Sequence, residues 1–170
     1  IKKLNWVNGE YIRKMSLEDF HKMACPYYKK VITREDIDFM KISRLLHERT
    51  EAFYEIPENI DFFEKLPEYD VNMYVHKKMK TNLENSAANL KLAYEALKSL
   101  DVWNEENVDA ALKGIIEELG VKNGLVLWPV RTALSGKQFT PGGAIEIAGV
   151  LGRDESLRRI EIGLKKLSEA

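Results

Sequence analysis

Arg131 and the run Thr140, Pro141, Gly142 and Gly143 are the residues whose types and spacing best suit a chemistry. Thr140 is an N-cap candidate, and Pro141 suits the first helical position, where a missing N–H costs nothing. Gly142 and Gly143 then leave the expected helix start bare of side chains. Unpaired N–H groups at such an end are a docking point for phosphate or another anion. Arg131, one helix earlier, can reach the same place. The whole stretch from Trp128 to Gly152 therefore reads as part of a nucleic-acid site.

Catalytic constellations are missing from the sequence. His21, His47 and His76 fall in different expected helices, with no Ser or Cys in a nucleophile setting. Ser135, Gly136 and Lys137 fail as a phosphate loop, because Arg131 stands where an earlier Gly is required and Gln138 where Ser or Thr is required. Lys14, Met15 and Ser16 begin like a KMSKS signature, but Leu17 and Glu18 end the match. Glu105 and Glu106 are explained by a helix dipole. Cys25 lies four residues after His21 on one helix face, which suits either a metal pair or a buried thiol. With one cysteine no intrachain disulfide forms, consistent with a reducing cytoplasm.

The 170 residues suffice for one large domain or two small ones. At 45% apolar and 31% charged, the composition is that of a globular protein. No apolar run approaches the roughly 18 residues that span a membrane, and no signal-peptide pattern is present. The net charge of −1 does not announce a polyanion binder. Its distribution says more. From Gly120 to Ala170 there are eight basic and five acidic residues, against 18 and 22 before them.

Periodicity supplies the elements that must position these residues. A short helix or turn over Lys3–Arg13 is anchored by Trp6 and Tyr11. Ser16 caps a helix whose apolar face is Leu17, Phe20, Ala24 and Tyr27. A further helix is expected from about Thr33, ending near Arg49 and Thr50. Pro57 opens a short one with Ile60, Phe62 and Phe63. The stretch Leu66–Asp70 marks the boundary between two subdomains, 1–70 and 71–170.

Asn82 then caps a long helix carrying Leu83, Ala87, Leu90, Tyr94 and Leu97. Asn104 caps the next, with Val108, Ala111, Leu112, Ile115, Ile116 and Leu119, stopped by Gly120. Gly124–Leu134 reads as helical, with a kink expected at Pro129. A helix over Gly142–Leu151 follows. The last, capped by Asp154, has the face Leu157, Ile160, Leu164 and Leu167. No strand alternation is sustained, so the expected fold class is all-α.

Two quoted segments carry a family resemblance. WPVRTALSGKQFTPGGAIEIAGVLGRDESLRRIEIGL (Trp128–Leu164) and KLNWVNGEYIR (Lys3–Arg13) resemble the C-terminal anticodon-binding region of bacterial glutamyl-tRNA synthetases. LLHERTEAFYEIPE (Leu45–Glu58) fits the same spacing. The resemblance covers almost the whole chain in order. It implies an all-helical anticodon-binding region without the Rossmann catalytic domain, its HIGH and KMSKS signatures, or the ATP and magnesium that domain uses. No cofactor is then expected in this chain. The implied partner is the anticodon stem-loop of a glutamate tRNA, bound by a cytoplasmic monomer. The complete enzyme attaches glutamate to that tRNA.

Residue by residue, the resemblance implies that Arg49 reads the third anticodon base and Arg131 lies near the first two. Thr140, Pro141, Gly142 and Gly143 belong to the loop that cradles them. Gly143 departs from relatives with a bulky apolar residue there. Chemistry supports Arg49. An unpaired cytosine, the last base of glutamate anticodons, offers O2 and N3 acceptors to a guanidinium fork, whereas the guanine of glutamine anticodons offers donors. The competing reading makes Arg49 a cation at a helix C-terminus, or a partner of Glu48 or Glu51. Trp6, Arg153 and Arg158 are further candidates for tRNA contact. Against this, Trp6, Trp103 and Trp128 suit core packing, and Arg153, Arg158 and Arg159 an exposed helix face. A helical protein-interaction module is the alternative function.

Overall fold

A computed structural model describes the backbone of residues 2–170 and the side chains of residues 8–170. The Trp6 side chain, an expected anchor and RNA contact, lies outside the described residues. Among those described, the chain is all-α; the single β-type pairing is an isolated bridge between His76 and Thr81. No described helix is long and apolar enough to cross a membrane. Two compact units form, the first ending at Lys65 and the second spanning Leu66–Ala170. The division falls before the expected boundary at residue 70 because Tyr69 is buried in the second unit, its hydroxyl 2.8 Å from that of Tyr74.

The first unit contains α1 (Lys2–Lys14), α2 (Leu17–Tyr28), α3 (Phe39–Leu46) and α4 (Ile56–Ile60). Ser16 starts α2, its Oγ accepting from Asp19 N at 3.1 Å. The buried stripe of α2 is Phe20, Ala24 and Tyr28; Leu17 and Tyr27, both expected on it, are only half-buried. Tyr28 is drawn inward by a polar anchor. Its hydroxyl lies 2.8 Å from Ser43 Oγ, which also contacts His21 Nδ1 at 2.7 Å. Phe20, Tyr28, Ile42, Ile56, Ile60, Phe62 and Phe63 fill the core. Each fully buried side chain of this size contributes about 1.5–3 kcal/mol.

The helix expected from Thr33 starts later, at Phe39, with Asp38 as its cap. A distant carboxylate accounts for the delay. Glu64 accepts from Thr33 N at 2.9 Å, Thr33 Oγ1 at 2.6 Å and Arg34 N at 3.2 Å, and Arg34 turns to Asp36. Those bonds hold 33–36 in an irregular path.

The second unit contains α5 (Leu83–Lys98), α6 (Glu105–Leu119), α7 (Gly124–Ser135), α8 (Ala144–Leu151) and α9 (Arg153–Ser168). Asn82 and Asn85 cap α5 reciprocally, and Asn104 caps α6 by accepting from Asn107 N at 2.7 Å. Gly120 ends α6 at φ +64°, the left-handed conformation that favours glycine. Helix α5 packs against α7 and α9 through Ser86, Leu90, Ala93 and Leu97, a face rotated from the expected stripe. Leu83, Ala87 and Tyr94 are half-buried. On α6, Leu119 is exposed instead of completing the stripe.

Helix α7 continues through Pro129, so the proline does not end the helix. Proline cannot donate to the carbonyl four residues back, that of Leu125. Asn89 of α5 makes that bond instead, Nδ2 to Leu125 O at 2.9 Å.

Candidate nucleic-acid interface

Trp128 and Arg131 stand one turn apart on α7 and therefore share a face. The indole is fixed from below, Nε1 donating to Met73 O at 3.0 Å. The His76 ring packs 4.2 Å from its centroid, and the Arg131 guanidinium carbon lies 4.6 Å away. Arg131 then reaches across the loop after α7. Its Nη1 donates to Thr140 Oγ1 and its Nη2 to Gln138 O, both at 2.6 Å. Thr140 Oγ1 donates its own proton to Gly142 O at 2.9 Å. Burial holds the Arg131 pKa below the ordinary arginine value.

This cluster changes the role expected of Thr140. Helix α8 begins at Ala144, capped from Gly143, so Thr140–Gly143 is loop. Thr140 serves as an acceptor for Arg131 rather than as an N-cap. Nor is the start of α8 a bare row of donors. Glu146 turns back to accept from Gly143 N at 3.0 Å. Glu105, Glu106 and Asp109 line the adjoining groove with it. A phosphate at this helix end would meet carboxylates, so the expected anion dock is not formed there.

The loop is also held at its start. Gly136 lies at φ +61°, and a Cβ there would stand 2.9 Å from the Tyr69 ring. Ser135 Oγ donates to Arg131 O at 2.8 Å and accepts from Lys137 N at 3.2 Å. The loop's tip carries a residue the periodicity gave no reason to single out. Phe139 is 83% exposed. The signal available in sequence was only an aromatic beside the Thr140–Pro141 pair.

The arginines of α9 divide: Arg158 lies on the expected exposed face, whereas Arg153 is half-buried and Arg159 buried. Asp154 lies in the first turn and Gly152 holds the cap position expected of it. Arg153 directs its guanidinium to the carbonyls of Leu100 and Lys98, at the C-terminal end of α5. Arg158 pairs with Glu155 at 2.5 Å. Arg159 is wholly buried, its Nε 3.1 Å from Glu155 and its Nη1 2.7 Å from Leu134 O. Trp103 donates Nε1 to Ala148 O at 3.0 Å, which ties it to α8.

In the first unit, Arg49 is exposed in the turn that ends α3. Its Nη1 donates to Leu45 O at 2.8 Å, one of the carbonyls left open at the helix end. The helix-cap reading of Arg49 therefore describes one of its donors. Cys25 Sγ lies 3.4 Å from His21 Nε2, and no group of three or more His, Cys, Asp or Glu fit to hold a metal gathers among the described residues. Burial raises the Cys25 pKa. Nearby, Tyr11, Met23 and Tyr54 form the exposed rim of a groove of about 310 Å³ floored by Ile12, Tyr27 and Phe53. Single-element periodicity did not bring these residues together.

The sequence matches the model of a family described as anticodon binding domain over residues 19–164. It is 61% identical over 166 residues to a glutamate–tRNA ligase of Clostridium tetani, and 56% identical over 167 residues to that of Clostridium acetobutylicum. Each match covers 98% of this chain and 34% of the relative. The chain thus spans about a third of the length of the curated relatives it matches. Among solved structures, a glutamate tRNA ligase from Elizabethkingia meningosepticum in complex with its amino acid superposes with a TM-score of 0.77 at 24% identity. That match covers 96% of this chain and 32% of the other, and it bears on the fold alone.

Proposed function

The chain belongs to the anticodon-binding domain family, and from that premise we propose that it reads the anticodon loop of glutamate tRNA within a glutamate–tRNA ligase. The complete enzyme would join glutamate to that tRNA using ATP, with magnesium, in a part outside this chain. The chain itself contributes recognition, in the cytoplasm and as a monomer.

The observation that carries this reading is the Trp128–Arg131–Thr140 cluster. It braces the loop from Gln138 to Gly143 through three hydrogen bonds before any ligand arrives. Preorganisation of that kind lowers the ordering cost of binding a flexible nucleotide loop. Thr140, Pro141 and Gly142 then offer backbone groups to the first two anticodon bases, Gly143 shapes the end of the cradle with its own N–H and carbonyl engaged by Glu146 and Ile147, and Arg131 holds the loop in place. Arg49 addresses the third base. With one donor on Leu45 O, the guanidinium is oriented, and its other N–H groups match cytosine O2 and N3. Trp6 and Arg158 are retained as further contacts, whereas Arg153 is committed to the end of α5. The family match favours RNA over a protein-interaction module.

Nuclease footprinting of glutamate tRNA tests the proposal. The chain is expected to protect the anticodon loop. Protection confined to other parts of the tRNA would count against it.

A further inference from the structure

Phe139 is the most exposed large apolar side chain among the described residues, at 83%, and no ring packs on it. An isolated phenyl in water is ordinary when it sits on a mobile tip. This one does not. The residues on both sides of it are gripped by one guanidinium, Arg131 holding Gln138 O and Thr140 Oγ1 at 2.6 Å each. Arg131 is in turn seated on Trp128, itself pinned to Met73 O. The fold thus holds position 139 on a braced loop and leaves its ring uncovered.

We propose that Phe139 is a stacking platform for one unpaired base of a single-stranded RNA loop, with Arg131 as its positioning residue. This rests on the RNA-reading function proposed above. The side of the cluster that faces the His76–Thr81 turn, away from the carboxylates near Gly143, favours a polyanion over an apolar protein pocket. The His76–Thr81 turn carries exposed Lys77, Lys78 and Lys80, and its His76 ring packs on the Trp128 that Arg131 covers. Every base has an apolar face, and stacking on an aromatic ring needs no hydrogen-bond match. It therefore adds affinity rather than choice of base.

The test is a cycle between protein and RNA changes, read as affinity of the chain for a hairpin carrying the glutamate anticodon loop. Phe139→Ala is expected to weaken binding roughly 5- to 150-fold, the range of one base–aromatic stack. Phe139→Tyr and Phe139→Trp are expected to bind as wild type, and Phe139→Leu to fall between. Against hairpins made abasic at single loop positions, the Phe139→Ala loss is expected to vanish at one position and persist at the others. Arg131→Lys, which loosens the whole loop, is expected to lose affinity on every hairpin, and to lose less on that one abasic hairpin than on the intact one. Binding indifferent to residue 139, or an equal loss on every abasic hairpin, overturns the stacking role alone. Failure of the wild-type chain to prefer the hairpin over a scrambled loop overturns the RNA-reading function and this role together.

Discussion

Asn89 donates its side-chain amide to the Leu125 carbonyl at 2.9 Å, the carbonyl that Pro129 leaves without its helical partner. A proline in mid-helix ordinarily costs about 3 kcal/mol or more, part of it for that lost bond. Here a side chain on α5 restores the bond, so α7 stays continuous across the proline and carries Trp128 and Arg131 on one face.

Removing the amide should reveal what it supplies. Asn89→Ala leaves a carbonyl unsatisfied and is expected to destabilise the second unit by about 1–3 kcal/mol. In the Pro129→Ala background the helix regains its own donor, and the same change should cost distinctly less. Urea unfolding of the four variants measures the coupling.

Glu155 makes the unit sensitive to acid. Burial alone would raise its pKa, but bonds and charge from Arg158 and Arg159 outweigh that and hold it at about 2. A depressed carboxylate contributes stability that is complete above its unfolded value, about 4.3, and is lost as pH falls through the folded one. Stability should therefore decline between about pH 4.5 and pH 2. Glu155→Gln, which takes a carboxylate charge away from the buried Arg159, should cost up to about 3–5 kcal/mol at neutral pH and flatten that decline. Unfolding midpoints across pH check both.

Helix boundaries were legible where a residue caps its own helix, by its side chain at Ser16, Asn82 and Asn104 and by its left-handed backbone at Gly120. They were not legible where the deciding partner is remote. Glu64 delays α3 from about thirty residues away, and Glu146 supplants the expected cap at Thr140. Thr followed by Pro suits a helix start and a loop equally; only Arg131 reaching across the loop settles which. An arginine read from sequence belongs on the surface, so Arg159 looked like a neighbour of Arg158. Its burial depends on Glu155 and Leu134 O both being in reach. The fold class needed only periodicity, whereas the site needed contacts across the chain.

Thr140→Val keeps the shape of the side chain but removes the hydroxyl between Arg131 and Gly142 O. The braced loop should loosen. Amide exchange across residues 137–143 is expected to accelerate, and affinity for the anticodon hairpin to fall about tenfold, near the 1.4 kcal/mol of one charge-assisted bond. Unchanged exchange would remove Thr140 from the brace.

Lys77, Lys78 and Lys80 should act through charge alone. Replacing all three by Gln is expected to weaken binding of glutamate and glutamine hairpins alike. It should also lower the slope of log affinity against log salt by up to about 2, at roughly 0.7 for each phosphate no longer neutralised. Titrations at several salt concentrations measure the slope.

Discrimination at the third anticodon base tests the central claim most directly. The affinities of the wild-type chain and of Arg49→Gln are measured for two hairpins that differ only in that base, cytosine against guanine. The wild type is expected to prefer cytosine by roughly 1–3 kcal/mol, by analogy with bidentate base readout in DNA, and Arg49→Gln to lose most of that preference. Equal affinity of the wild type for both hairpins, or a preference untouched by Arg49→Gln, would contradict the assignment of Arg49 as the reader of that base.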